Sequence, residues 1–220
     1  MRIAVMLKFT GCYIAHPYWP ELEKLINIQK ESGTKRARSE SRRKDSLSQY
    51  LKAHDMTDED YRVLEQRAAR PFYTFEDVLG TPDGEHDPGE IVIPAHHLYG
   101  AFAQGVSVVS SSLRISSVDN LRTVLKVGDF ATGKTKPDGV WDRYVTVKGG
   151  TGAKLSNQRA LRSNPYIAAF SAEGWLEFSE DMLEEQKIRR FVEFCGRDVG
   201  VGASRKMGMG RFAVEQWNHA

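Results

Sequence analysis

The stretch Gly200-Val201-Gly202-Ala203-Ser204-Arg205-Lys206-Met207-Gly208-Met209-Gly210-Arg211-Phe212 limits the fold more than any other part of the chain. Four glycines in eleven residues suit neither a helix interior, where each costs about 1 kcal/mol relative to Ala, nor a central strand. The helix-like pattern before it must therefore stop, at about Cys195–Gly196, and a strand must start after it, from about Met209 to Trp217. Between the glycines stand Arg205, Lys206 and Arg211. Exposed backbone N–H groups beside such cations suit a phosphate oxygen. A flexible basic turn has the same composition, and on the residues alone both readings stand.

The remaining composition is that of a water-soluble globular chain: 220 residues, 40% hydrophobic and 27% charged. Length allows one large domain, or a smaller one carrying an insertion. A net charge of +2 means that anion binding must come from a local patch rather than a global field. Cys12 and Cys195 are far apart and lack metal-ligand spacing, which predicts free thiols in a reducing compartment and no metal. The opening Met-Arg-Ile-Ala-Val-Met-Leu-Lys run is too short and too soon charged for a signal peptide. No stretch approaches the roughly 18 apolar residues of a membrane span. A cytoplasmic protein with no membrane partner and no cofactor is expected.

Taken in order, residues 2–9 read as a first strand. The aromatic stretch Thr10–Pro20 holds Tyr13, His16, Tyr18 and Trp19, either as a packed lid or as stacking platforms for bases. A helix is predicted over 21–31. Six cations then crowd ten positions, Lys35, Arg36, Arg38, Arg42, Arg43 and Lys44, with almost nothing apolar between them. Such a segment is expected to be unordered until a partner orders it, and the partner its charge suits is a phosphate backbone. Helices are predicted over 45–54 and 57–69, the second opened by Thr57-Asp58-Glu59-Asp60. Residues 20–70 thus form a mostly helical insertion, and Phe72–Leu79 returns to the sheet before a turn-rich loop at 80–89.

A short strand at 91–94 leads into a helix from Pro94 to about Ser111, whose first turn carries His96 and His97. Free N–H groups there could face an anion. Adjacent histidines do not share a helix face, which argues against a two-His metal site. Strands are predicted over 121–128 and 140–148. Between them Gly128-Asp129-Phe130-Ala131-Thr132-Gly133-Lys134-Thr135 matches the Walker A pattern. A phosphate-binding loop needs a helix opening at the Lys-Thr pair, however, and Lys136-Pro137-Asp138-Gly139 is a turn. Nucleotide hydrolysis is therefore not expected, and Lys134 and Lys136 are read as cations on a hairpin tip that join the RNA-binding residues. Residues 149–164 read as a Gly-containing basic loop with Lys154, Arg159 and Arg162, 166–178 as a strand, and 179–195 as a helix capped by Ser179.

Without the insertion the order is strand, helix, two strands, helix, strand. That predicts an α+β fold, a ferredoxin-like (RRM-like) β-α-β-β-α-β core within one domain spanning 1–220. Two segments then carry a resemblance: Ile93-Pro94-Ala95-His96-His97-Leu98-Tyr99-Gly100, opening a helix, and the glycine-rich Gly200–Phe212. In this order and placement the chain resembles the RAMP superfamily of CRISPR-associated proteins, and within it the Cas7-type backbone subunits. The resemblance implies an RRM-like protein that binds guide RNA by its backbone and assembles along it with further copies or other CRISPR-associated subunits. It implies that Gly202, Arg205, Lys206, Gly208 and Gly210 line the RNA path. The helix start at Ala95–Tyr99 would make a second contact, and the basic residues Lys35, Arg36, Arg38, Arg42 and Arg43 would form a finger. Where family members commonly carry small hydroxyl residues and a Lys, this chain has His96, His97 and Tyr99.

Three functions follow as expectations. The first is a non-catalytic subunit that binds single-stranded RNA through Arg/Lys contacts and aromatic stacking. The second is a metal-independent endoribonuclease of the same superfamily, with His16, His96 or His97 as general acid or base at a 2′-hydroxyl. The third is an interaction protein that imitates or caps such a complex as an inhibitor.

Overall fold

In β1 (Arg2–Phe9), Ile3, Val5, Leu7 and Phe9 are buried while Arg2, Ala4 and Lys8 are exposed, the period-two pattern of a strand covered on one face. The structure, a computed structural model, describes residues 1–15, 19–34, 39–78, 87–113, 118–149 and 156–220. The predicted contacts His16, Lys35, Arg36 and Arg38, and Tyr18 of the aromatic stretch, lie outside the described residues. The chain divides into two units, Met1–His16 with Phe72–Ala220, and Pro17–Pro71.

The Pro17–Pro71 unit holds three helices, α1 (Pro20–Glu31), α2 (Glu40–Ala53) and α3 (Asp58–Ala68). Leu25, Ile28, Leu51 and Tyr61 form their small shared core. At α3, Thr57 and Asp60 satisfy each other's backbone N–H groups in a capping box. The start of α2 corrects the sequence reading. It lies at Glu40 instead of 45, because Ser39 caps it by accepting from the Arg42 N–H and Glu40 pairs with Lys44 at 3.6 Å. Arg42, Arg43 and Lys44 thus stand on a helix and not in an unordered segment. The two ends of the unit are fastened together: Trp19 Nε1 donates to the Arg70 carbonyl at 2.8 Å, and the Arg70 guanidinium lies 4.3 Å over the Trp19 ring.

In the other unit β1 is followed by β2 (Tyr73–Thr74), β3 (Ile91–Ile93), α4 (Ala95–Leu113), α5 (Val118–Val124), β4 (Leu125–Val127) and β5 (Phe130–Ala131). Then come β6 (Gly139–Gly149), β7 (Ser156–Tyr166), β8 (Ser171–Phe178), α6 (Glu185–Phe194) and β9 (Phe212–His219). Among the described residues seven strands form an antiparallel sheet in the order β2-β3-β5-β8-β1-β9, with β4 also against β8. Because β4 and β5 both lie along β8, they act as one broken strand. The central order β9-β1-β8-β4/β5, with α4 and α6 as the crossovers, is the ferredoxin-like β-α-β-β-α-β arrangement. Leu98, Phe102 and Val106 of α4 and Ile188, Phe191 and Val192 of α6 share one core with the inward residues of the sheet. Phe102 and Phe191 meet at 5.4 Å between ring centroids, and truncating either to Ala would cost about 3–5 kcal/mol.

Four boundaries differ from the sequence reading. Residues 118–124 are helical, held by a Thr123 Oγ1 bond to the Asp119 carbonyl, and the strand there starts only at Leu125. The supposed loop at 149–164 contains β7, which pairs with β6 from Gly139↔Tyr166 to Gly149↔Ser156. It is too polar to announce itself, because a two-stranded ribbon buries little. The segment read as one strand over 166–178 breaks at Ala169, where φ is +50°, leaving β7 and β8 on either side. The late helix starts at Glu185 rather than 179 and runs past Gly196 through a π turn, Cys195–Val199. Gly196 does not stop it; a Cβ there would overlap the Phe212 carbonyl, so its small size serves packing against β9.

Candidate nucleic-acid interface

Strand parity gives the β6–β7 hairpin two unlike faces. Trp141 and Arg143 stand on one, directly across from Asn164 and Arg162. Val140, Tyr144 and Leu161 stand on the other and are largely exposed. The hairpin base is closed by Asp138, whose N–H donates to the Tyr166 carbonyl. Asp138 Oδ2 accepts from the Ala168 N–H, and Lys134 Nζ donates to both Asp138 oxygens and to the Ala168 carbonyl at 3.0 Å. The bonded ammonium first of all holds the Asp138 carboxyl below the ordinary carboxylate range. Lys134 is thus occupied inside the chain. No helix opens at the Lys134–Thr135 pair, where the chain turns into β6, so its letters do not make a phosphate-binding loop.

The glycine-rich segment packs on the loop after β1. The Gly210 N–H donates to the Cys12 carbonyl, Ala203 N–H to Ile14, and Thr10 and Gly11 N–H both to Arg211. Gly210 is buried with φ at +69°, and a Cβ on it would overlap the Val201 carbonyl. At Gly202 a Cβ would meet the Ile14 carbonyl and the Tyr13 ring. These two glycines therefore serve close approach of the chain to itself. Gly208 is exposed and has open space around it. Arg205, at the start of a short 3₁₀ turn, donates to the Gly100 carbonyl of α4 at 3.0 Å.

Between this segment and the Arg143 face of the hairpin lies a cleft of about 590 Å³. Its cations are Arg143, Arg162, Arg205, Lys206 and Arg211, and its carboxylate is Asp198. Asp198 is engaged by Arg197 at 2.7 Å, which lowers its pKa more than any other influence. A local excess of positive charge therefore gathers in a chain whose net charge is only +2. Arg205 and Lys206 were singled out by sequence and are in the cleft. Arg143 does not stand out in the sequence, and Arg162 reads there only as a loop cation; strand alternation pairs the two once β7 is known.

The start of α4 has its own chemistry. Asp129 Oδ1 accepts from the Ala95 N–H at 2.7 Å, so that helix terminus already faces a carboxylate from this chain and not a free anion. Burial raises the Asp129 pKa, opposed by that bond, and burial lowers the His96 pKa. Contrary to the helix-face argument, the His96 and His97 rings meet at 4.6 Å, and Tyr73 stands edge-on to both. Tyr13, fully buried and with its pKa raised chiefly by that burial, hydrogen-bonds His97 Nδ1 at 2.7 Å. With the imidazole proton on Nε2 the phenol donates to Nδ1; with it on Nδ1 the phenol oxygen accepts. Tyr13 and Trp19 are both buried, so neither offers a stacking surface. Among the described residues no group of three His, Cys, Asp or Glu side chains is arranged to hold a metal ion. No described helix is long and apolar enough to cross a membrane.

No protein-family model matches the sequence, and no curated protein matches it. Solved structures similar to this chain include a chain of the type III-B Cmr-beta complex bound to cognate target RNA, at 10% identity and a TM-score of 0.46. The match covers 99% of this chain, which spans 59% of that one. Cmr6 from Pyrococcus furiosus is similar at 10% identity and a TM-score of 0.33, covering 98% of each chain.

Proposed function

We propose that this protein binds single-stranded RNA without cutting it, with the cleft between the glycine-rich segment and the β6–β7 hairpin taking the phosphate backbone. The observation that supports the reading is the gathering of five cations, from two strands and one loop, around a single engaged carboxylate. Phosphate contacts from Arg and Lys carry affinity without reading bases, so sequence preference is weak. Following the family resemblance, the RNA is a guide RNA and the protein is a subunit of a CRISPR-type ribonucleoprotein. Its neighbours are other copies of itself or other CRISPR-associated subunits.

Anisotropy titration of a labelled single-stranded RNA tests this. Each neutralised phosphate contributes about −0.7 to the slope of log K against log salt. Five contacts give about a 100-fold loss of affinity between about 50 and about 200 mM salt. Affinity unchanged over that range would sink the reading.

A second reading rests on the His97–Tyr13 bond. A histidine hydrogen-bonded to a buried phenol, beside the exposed His96, is the raw material of proton transfer at a 2′-hydroxyl. Incubation of repeat RNA with the protein and excess chelator, against a His96→Ala/His97→Ala double variant, separates cutting from binding.

A further inference from the structure

One feature of the cleft is unfavourable as it stands. Arg143 and Arg162 face each other directly across the β6–β7 ladder, which brings two guanidinium groups to one wall. Arg143 Nε and Arg211 Nη1 are withdrawn from solvent with no hydrogen-bond acceptor among the described residues. Guanidinium nitrogens out of water and without an acceptor are a desolvation penalty that native structures seldom leave standing. Among the described residues Arg143 meets soft neighbours, Met207 Sδ at 2.9 Å from Nη1 and the Trp141 ring at 5.0 Å. Neither offers the guanidinium a charged acceptor. Asp198 is in the same cleft but bonded to Arg197.

An oxyanion with several free oxygens removes that penalty, because it accepts from two guanidinium groups on opposite walls. Guanidinium forks match phosphate oxygens in geometry as well as charge. We propose that Arg143 and Arg211, with Arg162 beside them, seat one phosphate group between the hairpin and the glycine-rich segment. The seat joins two elements that are otherwise linked there through Arg143 and Met207, so its occupancy steadies the hairpin against the loop. This deepens the RNA-binding reading and rests on it only for where the phosphate comes from. An internal phosphodiester and a terminal or free phosphate share the chemistry.

The test uses the full chain and three probes: inorganic phosphate, and one short RNA carrying either a 5′-phosphate or a 5′-hydroxyl. Calorimetric titration is run on the wild type and on Arg143→Met, Arg211→Met, Arg211→Lys and Lys206→Met. The Met variants keep the stem and remove only the charged head. Thermal melting in chloride checks that they fold, and Arg211→Lys keeps the charge without the fork. Inorganic phosphate is expected to bind the wild type saturably and to raise its melting temperature beyond a chloride control of equal ionic strength. Arg143→Met, Arg211→Met and Arg211→Lys should each weaken that binding about tenfold or more, and Lys206→Met at most twofold. Equal losses for both RNAs in the Arg variants assign the seat to internal phosphodiesters. A loss confined to the 5′-phosphorylated RNA assigns it to a terminal phosphate. Wild type with no saturable phosphate binding, or Arg143→Met and Arg211→Met variants that bind all probes as wild type does, overturns the proposal. RNA binding that survives in those two variants with its salt dependence intact overturns the seat and leaves the RNA reading standing. Phosphate binding with no RNA binding does the reverse.

Discussion

Two segments of this chain mix glycine with cationic side chains, and they have come to opposite ends. In Gly128–Thr135 the lysine is spent internally: Lys134 ties Asp138 and the Ala168 carbonyl together at the foot of the hairpin. In Gly200–Phe212 the backbone is spent internally, through Gly210, Ala203 and Arg211, while Arg205, Lys206 and Arg211 line an open cleft. The first segment has the sharper motif and the second the better claim on a ligand. What distinguishes them is which groups the chain has already satisfied for itself.

The glycines should break this comparison most visibly. Gly210→Ala forces a Cβ into the Val201 carbonyl at a left-handed φ, and we expect a loss of about 3 kcal/mol or more, read from urea unfolding. Gly133→Ala has a similar φ but open space around it, so only the left-handed strain of about 1–2 kcal/mol should appear. Equal losses at the two sites would show that the second segment is not anchored as described.

On the binding side, Arg205→Glu with Lys206→Glu is expected to lower RNA affinity about 30-fold, or about 2 kcal/mol, and to flatten the salt slope. Lys134→Met should leave RNA affinity within about twofold and instead take about 1 kcal/mol from stability. If Lys134→Met weakened RNA binding as much as the double reversal, the distinction between the segments would be lost.

The smallest effect concerns pH. The folded-state pKa of Asp138 is depressed, so its contribution is complete above the ordinary carboxylate value. It is lost as pH falls through the lower folded value, once the folded carboxyl takes up a proton. The stability difference between wild type and Asp138→Asn, measured by unfolding at stepped pH, should therefore shrink in acid. A difference constant from neutral pH to about pH 2 would remove Lys134 from the role given to it.

Much of the sheet was readable because it obeys local rules. Ile3, Val5, Leu7 and Phe9 alternate with exposed residues, and Thr57 with Asp60 announces α3. The α+β class and the ferredoxin-like order followed from such signals. What stayed hidden depends on partners remote in sequence. Ser156–Tyr166 is a strand because β6 lies beside it, and its few apolar residues, such as the exposed Leu161, form no alternating pattern that says so. Arg143 and Arg162 form half of the cleft only once that register exists. Lys134 reads as a free cation until Asp138 and Ala168 are folded around it. At α4, His96 and His97 look like separate surface groups until Tyr73 and Tyr13 arrive from other parts of the chain.

The bond between Trp19 and Arg70 has a consequence for how the chain finds its fold. A segment whose two ends are clasped behaves, for everything outside it, as a connection only a few residues long. Loop-closure entropy grows with the logarithm of the span to be closed. Once the three helices have condensed, β1 is no longer separated from the rest of the sheet by the contour of the whole insertion. The search by which β1 locates β8 and β9 then runs over a shorter effective chain, and residues can be gained or lost inside the clasp without lengthening that search.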